Sequence, residues 1–570
     1  MSERKNHDYY AKGSAEPAMA TKVTTNRLEK RRKLTSSSQR LVIVLVGLPG
    51  RGKSFISRKL SSFLNWRGVT CKVFNVGKYR REAQAGLAQQ QKDNTERTKS
   101  GACNANFFDQ NNEEAIRIRQ LAADLALKDM LNWLDEVGEE EELYMSNTPH
   151  SPRRAVARER TAIFDATNST KARRKWILEE CTSIEKRADK PTGIVFVETI
   201  CDDEELLEEN FRFKVINSPD FRGMTEVEAI TDLRERVKKY EEQYETMTDD
   251  SLSYIKIFNL SSKLLANNIY GRMSKAVVPA LMAWNIGTRP VWICRAGETG
   301  ALDPEINGDN ATTKRNKHAM HLNQRGHQFR KALSQFVLDE GRKFVEERSK
   351  HFAPSFKTGT SISGLQSEIP EGETNLPFPC KIMSSTMPRS VETVEWELPY
   401  QVDVLSALNP LDKGDFAGLE LEQIREMDPG WYSRLEYDSC GTRFPGGECY
   451  RDLVSRLESC VIDMEQQICP VMVVSHVSVI QVLLAYFRNS PLEDCTSIEV
   501  PMHTVIKLTP SRGGGWVDEF ISLLPDDDKE NNEYCSSGDD GETNRRPPQI
   551  AQTPIWGDHC SFKRKVSSPM

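Results

Sequence analysis

The chain has 570 residues, 38% of them hydrophobic and 28% charged, with a net charge of −6. That length predicts two or three domains, and the modest hydrophobic share predicts folded bodies carrying polar additions. The acidic balance argues against a nucleic-acid partner, the longest apolar run (41–48) is too short to span a membrane, and thirteen cysteines without CxxC pairs read as reduced thiols rather than a disulfide frame or zinc site.

Residues 1–38 are polar, hold a basic stretch (Arg27, Lys30, Arg31, Arg32, Lys33) and show no hydrophobic period, so a disordered tail is expected there. The opening residues carry no apolar signal core, and a cytoplasmic protein is expected. A first patterned block, 39–285, begins with six consecutive apolar residues at 41–46, the pattern of a strand buried on both faces. Further strands are expected at 70–75, 161–164 and 193–199, with helices over 55–66, 113–134 and 231–244; this alternation predicts a mainly parallel α/β sheet. Two polar stretches, near 84–105 and 136–160, read as surface insertions. A second block, 286–524, restarts after Thr288-Arg289-Pro290, with strands expected at 291–294 and 470–475, and also reads as α/β. Residues 525–570 are rich in Asp, Asn, Ser and Pro and are expected to be a second disordered tail.

Gly47, Leu48, Pro49, Gly50, Arg51, Gly52, Lys53 and Ser54 match G-x-x-x-x-G-K-[ST] in full, between a predicted strand and a predicted helix. Glycines let backbone N–H groups approach phosphate oxygens, and the following helix points its positive end at them. Lys53 then bridges the β and γ phosphates and Ser54 holds Mg²⁺. Asp165 follows the 161–164 strand, at the carboxyl end where ligand chemistry gathers in open α/β sheets. A carboxylate there holds Mg²⁺ or orients an attacking hydroxyl; the neighbouring Asn168, Ser169 or Thr170 serves equally as a plain helix cap. Arg80, Arg81, Arg117, Arg119, Arg173, Lys214 and Arg236 supply the guanidinium and ammonium groups that a phosphorylated acceptor needs.

Beyond these motifs, the runs Leu45 to Ser54, Asn65-Trp66, Val73 to Glu82 and Phe164-Asp-Ala-Thr-Asn168 resemble the 6-phosphofructo-2-kinase/fructose-2,6-bisphosphatase family. So do Glu198-Thr-Ile-Cys201, Asn217-Ser-Pro-Asp220 and Ser253 to Phe258, and the likeness runs over about 40–524 in family order. The resemblance implies a P-loop kinase domain followed by a histidine-phosphatase-like α/β domain. It implies ATP and Mg²⁺ as cofactors, fructose 6-phosphate as acceptor and fructose 2,6-bisphosphate as product. Carried over by motif, the P-loop and Asn210 bind ATP, and Ser54 and Asp165 hold the metal. Lys53, Asp165 and Lys214 are catalytic, although Lys214 stands one residue out of register with some members. Arg80, Arg81, Arg119, Thr167, Arg173, Arg236 and Tyr240 surround the sugar phosphate, and Cys201 falls at a site-lining position.

The second block departs from the same family. Where the family has Arg-His-Gly, with the histidine as phosphoryl acceptor, this chain has Arg295-Ala296-Gly297. A methyl group cannot attack phosphorus. The family's acid in Leu-Asn-Glu becomes Pro410, its substrate lysine becomes Gly446, and its Gln and Arg after His476 become Val477 and Gln481. Arg295, Arg389, Glu448 and His476 persist. The reading is a one-way kinase with a dead phosphatase domain kept for packing, a homodimer contact or regulation. A bifunctional enzyme and a non-catalytic ATP or sugar-phosphate sensor stand as alternatives. Thr35, Thr148, Ser151 and Ser567 sit in contexts that regulatory protein kinases often choose.

Overall fold

The computed structural model describes residues 40–90, 105–109, 111–136, 159–183, 191–260, 263–269, 271–284, 289–300, 321–352, 378–397, 400–419, 421–511 and 513–524. Both expected tails, and Thr35, Thr148, Ser151 and Ser567, lie outside these residues. The chain divides into two compact units after Trp284, residues 62–68 grouping with the second.

In the first unit the described elements are β1 (Arg40–Val46), α1 (Lys53–Trp66), β2 (Thr70–Asn75), α2 (Val76–Gln90), α3 (Glu113–Asp135), β3 (Arg160–Asp165), α4 (Lys171–Thr182), β4 (Thr192–Ile200), α5 (Glu204–Asn217), α6 (Glu226–Glu241), β5 (Tyr254–Phe258), β6 (Lys263–Asn267) and α7 (Arg272–Ala283). The sheet order is β2-β3-β1-β4-β5-β6, parallel except for β6. β1 is central, which is why its six apolar residues are all buried: Val42, Val44 and Val46 join a core with Ala162, Phe164, Met130 and Ile177. The chain leaves β1 for α1 and β3 for α4, so the carboxyl ends of these two neighbouring strands open one crevice.

Several boundaries differ from the sequence reading. The 84–105 stretch is not all insertion, because α2 runs on through Gln90. The helix expected at 231–244 starts at Glu226, where Thr225 and Glu228 exchange side chain–backbone hydrogen bonds in a capping box, and it ends at Glu241. Thr170, not Asn168 or Ser169, caps α4 by accepting from the Arg173 amide at 3.2 Å.

The second unit contains β7 (Val291–Arg295), α8 (Gln324–Phe352), β8 (Lys381–Ser384), α9 (Pro388–Thr393), β9 (Val402–Val404), α10 (Leu421–Met427), α11 (Pro429–Tyr437), α12 (Tyr450–Gln466), β10 (Val471–Ser475), α13 (Val477–Arg488), β11 (Thr504–Pro510) and β12 (Trp516–Ser522). Its sheet order is β12-β11-β7-β10-β8-β9; β7, β10, β8 and β9 are parallel, and β11 pairs antiparallel with both neighbours. Trp292, Cys294, Met472, Val474 and Ile382 form a core with Phe329, Leu333 and Val337 of α8. Both units are thus α/β, each sheet parallel except at one antiparallel edge. Among the described residues no helix is long and apolar enough to cross a membrane.

Candidate active site

The loop after β1 turns tightly enough that side chains are excluded from it. Gly50 sits at φ +78° and a Cβ there would lie 2.3 Å from the Phe211 ring; Gly52, at φ +84°, would place one 2.4 Å from Leu260. Lys53 donates from Nζ to the carbonyls of Gly47 (2.7 Å) and Leu48 (2.6 Å), so it spans the loop it begins to leave. Burial, with Lys214 and Arg51 adding like charge against the attraction of Asp165, lowers its pKa to about 7.

Asp165 closes β3 and is buried. Its Oδ2 accepts from Asn75 Nδ2 at 2.7 Å and from Ser54 Oγ at 3.3 Å. The carboxylate and the P-loop hydroxyl therefore face each other at the carboxyl ends of β1 and β3. Two adjacent hard oxygens suit a Mg²⁺ that keeps its remaining positions for phosphate and water. Thr167 accepts the Gly47 amide on its carbonyl at 2.9 Å, and Asn168, at φ +44°, donates from Nδ2 to Leu45 O at 2.7 Å. These bonds lock the β3–α4 turn onto the P-loop. Asn210 lies on α5, and its Nδ2 is buried with no hydrogen-bond partner, which leaves a donor for a ligand. Cys201 is buried at the end of β4, with Sγ 3.9 Å from the Asp203 carbonyl.

A second cluster adjoins the first. Asp220 collects three guanidinium groups: Arg80 (2.5 Å), Arg236 (3.3 Å) and Arg81 (3.5 Å). Arg80 and Arg236 are themselves buried and stack on Phe108, while Arg236 also covers Phe221 and pairs with Asp232. Arg119 donates to the carbonyls of Phe108 (3.3 Å) and Asp109 (3.4 Å), and Tyr240 packs on Phe108. Arg173 stacks on Trp176, bonds Gln120, and is lowered to about 10 by burial, with Asp124 and Tyr240 opposing. Lys214 is on α5: burial lowers its pKa, Asp165 and Asp220 oppose this, and Arg236 and Arg80 lower it further. Arg117 points away, exposed and paired with Glu113. Asn75 and Asp220 fall inside runs that carry the resemblance, but neither they nor Phe108 are expected at the site; an acid among expected phosphate-binding arginines has the wrong sign to be picked.

The second unit places Arg295, Ala296, Arg389 and His476 together at the carboxyl ends of β7, β10 and β8. Ala296 is buried, its amide bonded to Ser475 O at 3.0 Å. Arg389 Nη2 lies 3.2 Å from His476 Nδ1, and His476 Nε2 lies 2.8 Å from Ser385 Oγ. A guanidinium only donates, so Nδ1 is the acceptor and the neutral ring carries its proton on Nε2, which donates to Ser385. Burial, then Arg389, Arg295 and Arg456, lowers the His476 pKa to about 3. The unfolded chain therefore takes up a proton near pH 6.5 that the native chain refuses, and stability falls as pH drops below 6.5 toward 3. Thermal unfolding between pH 7 and 5 should show a shallower acid limb in His476→Gln than in the parent; equal slopes would mean His476 titrates normally. Pro410 has no proton to give, and its carbonyl accepts from Arg456 Nη2 at 3.0 Å. Glu448 is also held by Arg456, at 2.9 and 3.1 Å.

Against known proteins, the 6-phosphofructo-2-kinase family pattern matches residues 29–161 and 155–288, and that of the histidine phosphatase superfamily (branch 1) matches 375–522. The chain is 33% identical over 486 residues to the 6-phosphofructo-2-kinase/fructose-2,6-bisphosphatase of Gallus gallus, covering 84% of each chain. It is 32% identical over 494 residues to 6-phosphofructo-2-kinase/fructose-2,6-bisphosphatase 3 of Rattus norvegicus, covering 86% of this chain and 73% of that protein. This chain belongs to the 6-phosphofructo-2-kinase/fructose-2,6-bisphosphatase family. It is also similar, at 31% identity over 508 residues, to a protein of Schizosaccharomyces pombe named "Probable 6-phosphofructo-2-kinase", covering 84% of this chain and 69% of that one. In this family's two-domain order, the P-loop crevice falls in the kinase half and the histidine phosphatase pattern falls in the second unit.

Proposed function

We propose that this chain is a one-way 6-phosphofructo-2-kinase: it transfers the γ-phosphoryl of ATP to the 2-hydroxyl of fructose 6-phosphate and does not hydrolyse the fructose 2,6-bisphosphate formed. The observation that carries the proposal is the continuity of the two clusters in the first unit: Asn75, bonded to Asp165 at 2.7 Å, leads directly into α2, whose Arg80 and Arg81 meet Asp220. A nucleotide phosphate site and a sugar-phosphate site thus adjoin through one strand end.

The roles follow from position. P-loop amides and Lys53 hold the β and γ phosphates. Ser54 and Asp165 would hold Mg²⁺, which when bound neutralises phosphate charge. Asn210 faces the nucleotide with its free amide. Arg80, Arg81 and Arg236 take the sugar 6-phosphate, with Arg119, Thr167, Arg173 and Tyr240 around the sugar. The 2-hydroxyl attacks phosphorus, its proton passing to an oxygen of the transferring phosphoryl, the bond from the γ-phosphorus to the β–γ bridging oxygen breaks, and ADP leaves. Lys53 and Lys214, both half-buried, stabilise charge on the transferring group. The domain limits 39–285 and 286–524, a cytoplasmic location, a homodimer and regulation by protein kinases belong to the same proposal.

Purified chain incubated with Mg·ATP and fructose 6-phosphate should form fructose 2,6-bisphosphate. Bound ATP with no product would overturn the kinase reading in favour of a sensor.

Asp220 supplies a second check on the sugar-phosphate cluster. Replacing it with Asn leaves two buried guanidinium groups without their shared carboxylate, a loss of about 3 kcal/mol in stability. Fructose 6-phosphate supplies the missing anion, so it should raise the melting temperature of Asp220→Asn more than that of the parent. An equal rise in both would place the sugar phosphate elsewhere.

A further inference from the structure

Asn75 is the last residue of β2 and stands in register with Asp165, the last residue of the neighbouring strand β3. Its side chain serves two partners at once. Oδ1 accepts the Lys78 amide of the first turn of α2 at 3.1 Å, and Nδ2 donates to Asp165 Oδ2 at 2.7 Å. A backbone N–H on one side and a carboxylate on the other admit only one orientation of the amide. The helix anchored in this way carries Arg80 and Arg81 to Asp220. A Cβ at Gly77 would lie 3.0 Å from Asn75 Oδ1 and 3.5 Å from Arg81 Nη1, so the amide and that guanidinium crowd one residue that has no side chain.

On the other side of this bond Asp165 is buried, and its Oδ2 also accepts from Ser54 Oγ at 3.3 Å. That distance is long for a hydroxyl donor, so the Asn75 amide is the firmer restraint. Both bonds fall on one oxygen, and among the described residues Oδ1 accepts none. The carboxylate is thus fixed through one oxygen and keeps the other for a ligand.

We propose that Asn75 is a positioning residue for Asp165: its amide sets the carboxylate against Ser54 and ties that setting to the helix that holds the sugar-phosphate arginines. Its effect on rate rests on the kinase reading above; its hold on Asp165 does not. Chemistry separates this role from that of a plain turn residue. A residue that only caps α2 needs an acceptor for the Lys78 N–H, which an aspartate supplies as well as an asparagine. A residue that positions Asp165 needs a donor, and an aspartate there would set two carboxylates against each other.

The test compares three full-length chains: the parent, Asn75→Asp, and Asn75→Asp combined with Asp165→Asn. Asn75→Asp should melt below the parent. Adding Asp165→Asn should return much of the loss, because the exchanged pair again sets a donor against an acceptor. In initial-rate assays with Mg·ATP and fructose 6-phosphate, Asn75→Asp should lower kcat by about 10–100-fold, the usual cost of removing a partner that orients a metal-binding or catalytic group. KM for fructose 6-phosphate should change little, since the arginines of α2 keep their cap. An unchanged melting temperature in Asn75→Asp, a double variant no more stable than Asn75→Asp, or an unchanged kcat would each overturn the proposal. A raised KM at unchanged kcat would assign Asn75 to the α2 arginines alone. A parent that forms no product would sink the kinase reading, and the exchange of melting temperatures would still decide whether Asn75 holds Asp165.

Discussion

Lys53→Ala is expected to lower kcat for fructose 2,6-bisphosphate formation by about 10³-fold, within the range found when one charge-stabilising group is removed from a phosphoryl-transfer or oxyanion site. Two effects combine. In the free protein Lys53 closes the P-loop by donating to the carbonyls of Gly47 and Leu48, and alanine leaves both carbonyls without that donor. In the transition state the ammonium group faces the transferring phosphoryl in a site dry enough to lower the lysine's pKa to about 7, where a charge acts far more strongly than in water. Lys53→Arg is not expected to rescue the rate, because a planar fork cannot occupy a space shaped for a point charge. Initial rates at saturating Mg·ATP and fructose 6-phosphate measure the effect; Lys53→Ala retaining more than a tenth of the parent kcat would remove Lys53 from the reacting centre.

Much of this site is legible in the sequence because its geometry is local. A run of six apolar residues ends in a glycine turn, and the turn excludes side chains at Gly50 and Gly52 for reasons visible at one position each. The central strands β1 and β4 are legible for the same cause, burial on both faces, which writes itself as continuous hydrophobicity. Edge strands are not. β6 mixes exposed and half-buried residues without a strict period, β9 is three residues long, and β12 holds no buried residue, so none carries the continuous apolar run of a central strand. The contacts that depend on distant segments are equally hidden. Asp220 stands 140 residues from Arg80 in sequence, and only the folded sheet shows that one carboxylate gathers three arginines. Ser385 reads as one more residue of a polar Ser-Ser-Thr stretch until β8 and β10 bring it against His476. Lys214 has an ambiguous register in sequence; the fold places it on α5, where the charges of Asp165 and Asp220 act on it.

Fructose 2,6-bisphosphate incubated with the parent chain is expected to release phosphate at least about 10⁵-fold more slowly than an intact histidine phosphatase would, because removal of a nucleophile alone costs around 10⁶-fold in kcat. On the proposed reading, three features among the described residues oppose substitute routes. Ser385 is the hydroxyl bonded to the pocket's imidazole, and it receives a proton from Nε2 instead of surrendering one, because Arg389 has claimed the other nitrogen. His476 is held neutral and behind that bond. If position 410 is the family's acid position, Pro410 would leave the departing sugar oxygen without a proton donor. These losses act as a unit, so repairing one restores little. Ala296→His should accept a phosphoryl group slowly, detected as an acid-labile label on the introduced imidazole, since the attacking nitrogen is restored and the leaving alkoxide is still unprotonated. Ala296→His combined with Pro410→Glu should turn over about 10²–10⁴-fold faster than Ala296→His alone, the usual contribution of a positioned general acid. Measurable hydrolysis by the parent would mean that some group other than position 296 attacks phosphorus. A double variant as inert as the parent would mean that the persisting arginines no longer present the phosphate to that position.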